Sequence, residues 1–212
     1  MADALNRSRT RDALIAAARS LVLGRSYGAV GVAEICAHAG VKKGSLYHFF
    51  PGKDALVLEM LETLYRELER EVLRPSLECD LPLRDRLGRF VDRLYQFEIR
   101  AQGEVGELPG CPFGNLALEL ANWNSAVREA VAAHLEALRG HFQRAIETAA
   151  QRGELPQASD SARLSEQWLA QVEGVLLLAK ARQDADTVLH LLPALEALLP
   201  VRPVHDEERG NH

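Results

Sequence analysis

The spacing of the apolar residues constrains the fold of this chain more than any other feature, because it follows the period of an α-helix nearly throughout. Leu14, Ile15, Leu21 and Val22, for example, lie on one face of a helix. Similar helical patterns cover about 32–38, 43–49, 54–73, 83–101, 113–123, 126–152, 161–183 and 185–199. No segment alternates apolar and polar residues over the length of a strand. The sequence therefore predicts an all-α fold.

Proline, glycine and short polar residues predict where these helices stop and start. Pro75 and Pro82 mark a loop after the fourth helix. The segment 103–112 holds too many glycines and prolines for a continuous helix. Ser125 is predicted to cap the long helix that follows, and Ser159 or Asp160 the next one.

Composition narrows the class of protein. The 212 residues are 47% hydrophobic and 26% charged, which is typical of a globular protein and excludes a disordered or fibrous one. No apolar run reaches the roughly 18–20 residues that span a bilayer, and the N-terminus lacks the pattern of a signal peptide. We therefore expect a cytoplasmic protein with no membrane partner. Cys36, Cys79 and Cys111 lie far apart without CxxC spacing, so we expect no disulfide framework and no zinc ribbon. We also expect no metal site and no cofactor.

The charge is unevenly divided along the chain. The net charge of −5 seems to argue against a nucleic-acid partner, but residues 1–53 carry eight basic and three acidic groups. The first 53 residues are therefore +5 and the remainder −10. This asymmetry predicts an anion-binding head on an acidic body.

Residues 32–50, VAEICAHAGVKKGSLYHFF, carry the pattern of a helix-turn-helix. Gly40 lies between two short helical patterns, where a tight turn with positive φ favours glycine. Ile35 and Leu46 are placed to pack the two helices at a steep angle, and Val41 fills the corner. The pattern makes residues 43–49 the recognition helix. The alternative is that Gly40 simply ends a helix between two solvated helices.

The residues at the start of the recognition helix have side chains that suit DNA. They can donate hydrogen bonds to phosphate or base edges, and the two with rings can also contact thymine methyl groups. The candidates are Lys42, Lys43, Ser45, Tyr47 and His48. Simple solvated charge is the alternative for the two lysines.

The run from Tyr27 to about Leu61, above all AGVKKGSLYHFFPGKDALVLEML, resembles the TetR family of transcriptional regulators. The resemblance implies that Lys53, at the start of the fourth helix, contacts phosphate. It also implies that Lys43, Ser45, Tyr47 and His48 face the major groove.

One position departs from the family pattern. The family usually places a Thr or Ser before the second helix to cap it and touch phosphate, whereas this chain has Val30 and Gly31. Gly31 still tolerates the cap position, so the departure affects one phosphate contact and leaves the fold in place. The expected organisation is a three-helix DNA-binding domain over 1–53 and an effector-binding and dimerisation domain over 54–212.

The last two helices are predicted to form a homodimer. A helix-turn-helix protein normally reads a palindromic operator with two copies. Two helices from each subunit would make a four-helix core, which the resemblance also implies. The same spacing also fits a monomeric core. The predicted interface residues are Leu164, Trp168, Val172, Val175, Leu176, Leu192, Leu195 and Leu199.

The segment GCPFGNLALELANW (110–123) is the candidate effector region. Asn115, Glu119 and Trp123 share a helix face that makes a poor core and a reasonable pocket wall. The resemblance implies an effector cavity among the central helices, and the segment looks like one found in a subset of these regulators. For each candidate residue, packing or capping is the alternative role. The candidates are Tyr95, Phe97, Cys111, Phe113, Asn115, Glu119, Trp123 and Phe142.

For Cys111 the sequence supports a more specific hypothesis than a place in the pocket wall. It precedes a helix N-terminus, where the helix dipole favours a thiolate, so it is a candidate sensor of electrophiles or oxidants. The alternative is a small buried apolar residue.

An enzyme is not expected. His134 and His141 share a helix face but have no third ligand spaced to join them, and catalytic motifs such as G-x-S-x-G are absent. The sequence therefore predicts a repressor that a small-molecule effector releases from a palindromic operator. Two other classes stay open: an activator or architectural DNA binder without a ligand, and a helical ligand-binding module or enzyme that has lost DNA binding.

Overall fold

The computed structural model describes residues 2–157 and 159–200, and every helix-forming segment predicted above is helical in it. The α-helices are α1 (Ala2–Gly24), α2 (Val32–His38), α3 (Lys43–Phe49), α4 (Lys53–Leu68), α5 (Arg74–Leu77), α6 (Leu83–Val105), α7 (Pro112–Leu120), α8 (Ser125–Gln151), α9 (Ser161–Arg182) and α10 (Leu191–Ala197). A π-helical turn (Glu69–Leu73) joins α4 to α5, and a 3-10 helix (Ala185–His190) precedes α10. Within the described residues there is no strand, so the all-α prediction is confirmed.

The N-terminal head consists of α1, α2 and α3 packed together, with α4 against α1. Leu14, Ile35, Leu46 and Leu56 from these four helices are fully buried. The proposed domain boundary after residue 53 lies in the first turn of α4, a helix that packs against the head at one end and α8 in the body. Residues 201–212 of the proposed second domain lie outside the described residues.

The chain stays helical past Pro75, where the sequence predicted a loop. Proline has no N–H to offer the carbonyl four residues earlier, which here belongs to Glu71. Arg93 Nη1 donates to that carbonyl at 3.0 Å instead. The Arg74 N–H bonds to Glu69 O, the five-residue spacing of a π turn. The predicted loop is present over 78–82, but it begins later than Pro75 because a tertiary contact satisfies the group that proline leaves unpaired.

Three aromatic rings lie at the centre of the body, where α6, α8 and α9 meet. Phe142 packs edge-on against Phe90 and Trp168, with ring centroids 5.3 and 5.9 Å apart. The Trp168 indole N–H donates to Leu195 O at 3.2 Å, which ties α9 to α10. All three rings are almost fully buried. This cluster places the face of α9 that carries Trp168 inside the protomer.

Two helix ends differ from prediction. Asn124, and not Ser125, caps α8, because its Oδ1 accepts from Val127 N at 3.1 Å. Helix α6 continues through Gly103 to Val105, since one glycine costs a helix only about 1 kcal/mol. Asp160 caps α9 and thereby decides between the two predicted caps.

The described residues contain neither a membrane-spanning helix nor a group of metal ligands. None of their helices combines the length and the apolar character that crossing a bilayer requires. No three His, Cys, Asp or Glu side chains in this part of the chain are grouped as metal ligands.

Candidate DNA-binding surface and effector cavity

The turn between α2 and α3 has the geometry predicted for a helix-turn-helix. Gly40 has a φ of +67°, a conformation in which a side chain is strained, and Val41 N donates to Cys36 O at 2.9 Å. Ile35 and Leu46 are both fully buried on the facing sides of the two helices. The buried pair holds α3 against the head and leaves its opposite face to solvent.

That opposite face carries most of the predicted DNA contacts. Lys42, Lys43, Tyr47 and His48 are exposed, and Ser45 is half-buried. Tyr47 is 52% exposed although its ring is large and apolar. Within the part of the chain that the structure describes, the side chains of the two lysines and Tyr47 make no hydrogen bond or ion pair. Their donors are therefore available to phosphates and base edges.

The structure places Lys53 differently from the other predicted contacts. Its ammonium donates to the carbonyls of Tyr27 and Val30, both at 2.7 Å, and lies 3.6 Å from the centre of the Tyr27 ring. Burial lowers the pKa of Lys53, while Asp54 and Glu119 act in the opposite direction. Lys53 thus joins the loop before α2 to the start of α4. A phosphate would have to share the N–H donors of Lys53 with these two carbonyl groups.

Glu119 holds the same loop from the body side. Its carboxylate accepts from the backbone N–H groups of Tyr27, at 2.9 Å, and Gly28, at 2.5 Å. Asn124 Nδ2 donates to Asp54 Oδ2 at 2.6 Å beside it, and Tyr27 OH also bonds to Asp54. The end of α7 is therefore tied to the DNA-binding head by charge-assisted hydrogen bonds.

An apolar cavity of about 50 Å³ lies between α4, α6, α7, α8 and α9. Four of the predicted effector residues line it: Phe97, Cys111, Phe113 and Phe142. These four were predicted on the family resemblance, which implies an effector cavity among the central helices.

A wider cleft of about 300 Å³ adjoins the cavity and shares Cys111, Glu173 and Leu176 with it. Asn115 lies in this cleft, where its Oδ1 accepts from Lys180 Nζ at 3.0 Å and its Nδ2 donates to Pro109 O at 2.9 Å. The cleft has about the volume of the smallest pockets that hold small ligands, whereas the cavity alone is well below it.

Three predicted effector residues need correction, because the structure places them away from the cavity. Trp123 is 88% exposed on the loop after α7. The Tyr95 hydroxyl donates to Asp186 Oδ1 at 3.0 Å, on the outer side of α6. Glu119 binds the head, as described above. The predicted three-residue helix face is therefore not formed, because Trp123 lies beyond the end of α7 while Asn115 faces the cleft and Glu119 the head.

Cys111 is buried as the N-cap of α7, where its sulfur accepts from Gly114 N at 3.4 Å. Burial, with a smaller contribution from the Glu173 carboxylate, raises the pKa of the Cys111 thiol well above its ordinary value. The predicted activation by the helix dipole is therefore outweighed by desolvation, and the thiol is protonated at neutral pH. A Cβ at Gly114 would lie 2.5 Å from Glu173 Oε2, so a larger residue there would require the Glu173 side chain to shift.

Two acidic residues border the cavity that the sequence analysis missed, Glu98 and Glu173. Burial raises the pKa of Glu98 to about 7; a backbone hydrogen bond from Gly110 opposes the shift, and Glu173 adds to it. Burial also raises the pKa of Glu173. One oxygen of each carboxyl group has no hydrogen-bond partner. The available signal was their helical register, because Glu98 follows Leu94 by four residues on the apolar face of α6.

The predicted dimer residues divide between the core and the surface. Leu164, Trp168, Val172, Leu176 and Leu195 are buried inside the protomer, so their assignment to an interface needs correction. Val175, Leu192 and Leu199 are partly buried. The exposed apolar residues of these helices are instead Leu177, Leu178 and Leu189.

The helix-turn-helix head and the helical body with an internal cavity define a DNA-binding regulator of the ligand-responsive type. Residues 14–60 match the family model described as bacterial regulatory proteins, tetR family. Residues 83–195 match the model described as the tetracyclin repressor-like C-terminal domain. The chain belongs to the TetR family and is a DNA-binding transcriptional regulator. The resemblance inferred from the sequence is thereby confirmed.

Two curated relatives are similar to this chain. The HTH-type transcriptional repressor DhaR of Mycobacterium sp. (strain GP1) is 25% identical over 195 residues, which cover 92% of this chain and 94% of the relative. The HTH-type transcriptional repressor NemR of Escherichia coli (strain K12) is 29% identical over 122 residues, 58% of this chain and 59% of the relative.

Two solved structures share the fold. The regulatory protein TetR from Rhodobacter sphaeroides superposes with a TM-score of 0.79 at 26% identity, covering 89% of this chain and 98% of that one. The reduced form of E. coli NemR superposes with a TM-score of 0.74 at 22% identity, covering 92% and 100%.

Proposed function

We propose that this regulator is a homodimeric repressor of the cytoplasm, released from a palindromic operator when a small molecule enters the cavity of the body. The observation that carries the proposal is the course of α7. Cys111 and Phe113, at its start, border the cavity, while Glu119, near its end, binds the backbone of the head. The similar proteins DhaR and NemR are repressors, which supports repression as the mode of regulation.

The small volume of the cavity supports a change of conformation on binding. At about 50 Å³ it is smaller than an effector requires, so a ligand must displace Phe113 or Cys111 and open the cavity into the adjoining cleft. Both residues move with α7, which pulls on the head through Glu119. A conformation that fits the operator poorly is then favoured, and about 1.4 kcal/mol of coupling weakens DNA binding tenfold.

Replacing Lys43 or Tyr47 with alanine should weaken operator binding by about tenfold or more, because each removes an exposed donor from α3. Operator fragments are first selected from genomic DNA, and affinity is then measured by fluorescence anisotropy at matched salt. Arg66→Ala is the control, since it removes the same charge from an exposed site on α4. Unchanged affinity in both α3 variants, with normal unfolding curves, would show that α3 does not read the operator.

The exposed leucines of α9 and of the 3-10 helix support the dimer. Leu177 and Leu178 are 55% and 45% exposed, and Leu189 is 42% exposed. Helix α9 also presents the small residues Ala170 and Gly174 to solvent on this side. Packing this surface against its copy buries apolar area on both subunits, as an isologous interface requires.

Cys111 supports a second proposal, that the effector is an electrophile which alkylates its sulfur. The thiol borders both the cavity and the cleft, beside the Glu173 carboxylate. In the addition of the thiol to an activated alkene, the carbon–sulfur bond forms as the carbon–carbon π bond breaks, and the thiol proton passes to the Glu173 carboxylate, whose burial makes it a stronger base. The enolate that this leaves on the electrophile then takes up a proton from water.

We expect Cys111→Ser to bind operator normally and to stay bound after treatment with N-ethylmaleimide, which should release the wild-type protein. Cys79→Ser is the matched control, because Cys79 is a half-buried thiol outside the cavity. Anisotropy before and after treatment measures release, and mass spectrometry identifies the alkylated residue. Release of Cys111→Ser at the wild-type rate would exclude Cys111 as the sensor.

A further inference from the structure

A second cleft, of about 410 Å³, lies on the body apart from the effector cavity. Helix α8 contributes His141 and Arg144 to it, Arg152 follows directly after α8, α6 contributes Arg86, and the end of α5 with the following loop (77–80) closes the other side. The spacings of His141, Arg144 and Arg152 are near multiples of the helical turn, so the three residues lie on one side of α8. No part of the function proposed above uses this cleft.

Arg86 is the most unusual residue of the cleft, because its guanidinium is buried and largely unpaired. The residue is 1% exposed, and its Nη1 donates only to Leu77 O at 3.3 Å. Its Nε and Nη2 have no hydrogen-bond partner. The nearby Glu154 carboxylate accepts instead from Leu83 N. A buried guanidinium with unpaired N–H groups is costly, because the desolvation of those groups is not compensated.

The unpaired atoms form one edge of the guanidinium. The N–H groups of Nε and Nη2 point to the same side of the planar group, which is the geometry that pairs with two oxygens of a carboxylate or phosphate. Nη1, on the other side, is the nitrogen already used by Leu77 O. Arg86 thus presents a complete bidentate edge that nothing in the described chain occupies.

The charges around the cleft are mixed. Arg144 and Arg152 add two further guanidinium groups, against the carboxylates of Glu78 and Asp80 in the lining and those of Glu154 and Glu69 beside Arg86 and His141. Arg152 Nη2 lies 2.8 Å from Asp80 Oδ1, but the Asp80 side chain is 94% exposed, so water screens this pair. Arg144 Nη2 lies 3.8 Å from Glu78 Oε1. Burial lowers the pKa of Arg86; the Glu154 carboxylate opposes this shift, and Arg152 adds to it.

We propose that this cleft binds an oxyanion, the phosphate or carboxylate group of a small molecule, with the Nε and Nη2 edge of Arg86 as its bidentate partner. Arg144 and Arg152 turn from Glu78 and Asp80 to the ligand and complete the site. The site is separate from the effector cavity, so a test of anion binding here does not depend on the function proposed above.

The test is isothermal titration of the full-length protein with inorganic phosphate and, separately, with acetate, in chloride buffer of constant ionic strength up to about 10 mM ligand. We expect saturable binding of at least one of the two, with one site per protomer. Preference for phosphate or for acetate then distinguishes a phosphorylated ligand from a carboxylate. Failure of both anions to bind would overturn the proposal.

Variants locate the binding. Arg144→Gln and Arg152→Gln should each weaken it at least about fivefold, and Arg86→Gln should abolish it. Because Arg86 is buried, its variant is first checked by circular dichroism, and the exposed Arg144 carries the test if Arg86→Gln does not fold. Arg66→Gln should leave binding unchanged as the charge-matched control. Wild-type affinity in Arg144→Gln, or loss of binding in Lys43→Ala, would place the anion elsewhere and refute the site.

Discussion

Replacing Trp168 with alanine is expected to lower the free energy of unfolding by about 3–5 kcal/mol. The indole is fully buried, packs edge-on against Phe142, and donates to Leu195 O at 3.2 Å. The alanine variant loses this apolar contact, creates a cavity and leaves the carbonyl of Leu195 without its hydrogen-bond donor. Urea unfolding followed by circular dichroism measures the change.

The contrasting residue is Leu178, which is exposed on the same helix. In the dissociated protomer, Leu178→Ala should change stability by no more than about 0.5 kcal/mol, because the side chain is 45% exposed there. Leu178→Glu should instead shift the sedimentation coefficient from dimer to monomer at low concentration. If Trp168→Ala instead loses little stability and its dimer dissociates, Trp168 lies in the dimer interface, as the sequence predicted.

Replacing Glu98 with glutamine is expected to stabilise the protein above pH 7 and to leave it nearly unchanged near pH 4.5. Burial raises the pKa of Glu98 from 4.5 to about 7, so the folded state holds a proton that the unfolded state releases. The stability linked to this proton is complete below pH 4.5, falls between pH 4.5 and 7, and is lost above that window. The size of the shift corresponds to a difference on the order of 3 kcal/mol.

Glutamine keeps the oxygen that accepts from Gly110 N and cannot ionise, so it isolates the charge. Urea unfolding of both proteins at pH 5 and pH 8 measures the effect. Glu107→Gln, an exposed change in the loop after α6, should follow the pH dependence of the wild type. A stability gap between wild type and Glu98→Gln that is the same at both pH values would contradict a protonated Glu98.

Much of the head was predictable because its information is local. The helix-turn-helix depends on residues within twenty positions of one another: a positive φ at Gly40, the buried pair Ile35 and Leu46, and polar residues on the other face of α3. These features follow from helical spacing and from the conformational freedom of glycine, which a sequence displays directly. Lys53 differed because its partners, two carbonyls of the loop before α2, lie more than twenty residues away.

The body was predictable only in its helices. Apolar spacing shows that a helix has a buried face, but it does not show what covers that face. Trp168 was therefore assigned to a partner subunit when Phe142 covers it, and Glu119 to a pocket when backbone N–H groups of the head bind it. The pKa of Cys111 also depends on residues distant in the chain. Burial beside Glu173, which lies 62 residues further along, raises this pKa and outweighs the effect of the dipole of the helix that Cys111 caps.

The sequence by itself thus determined the all-α class, the helix-turn-helix with its exposed contacts, and the division of charge between a basic head and an acidic body. Only the tertiary structure decided which faces meet, and therefore which residues border the cavity, which leucines remain for a partner, and that Arg86 is buried with an unpaired edge. The physical reason is that helix formation and turn chemistry depend on neighbours in the chain. Burial, pKa and pairing depend on neighbours in space.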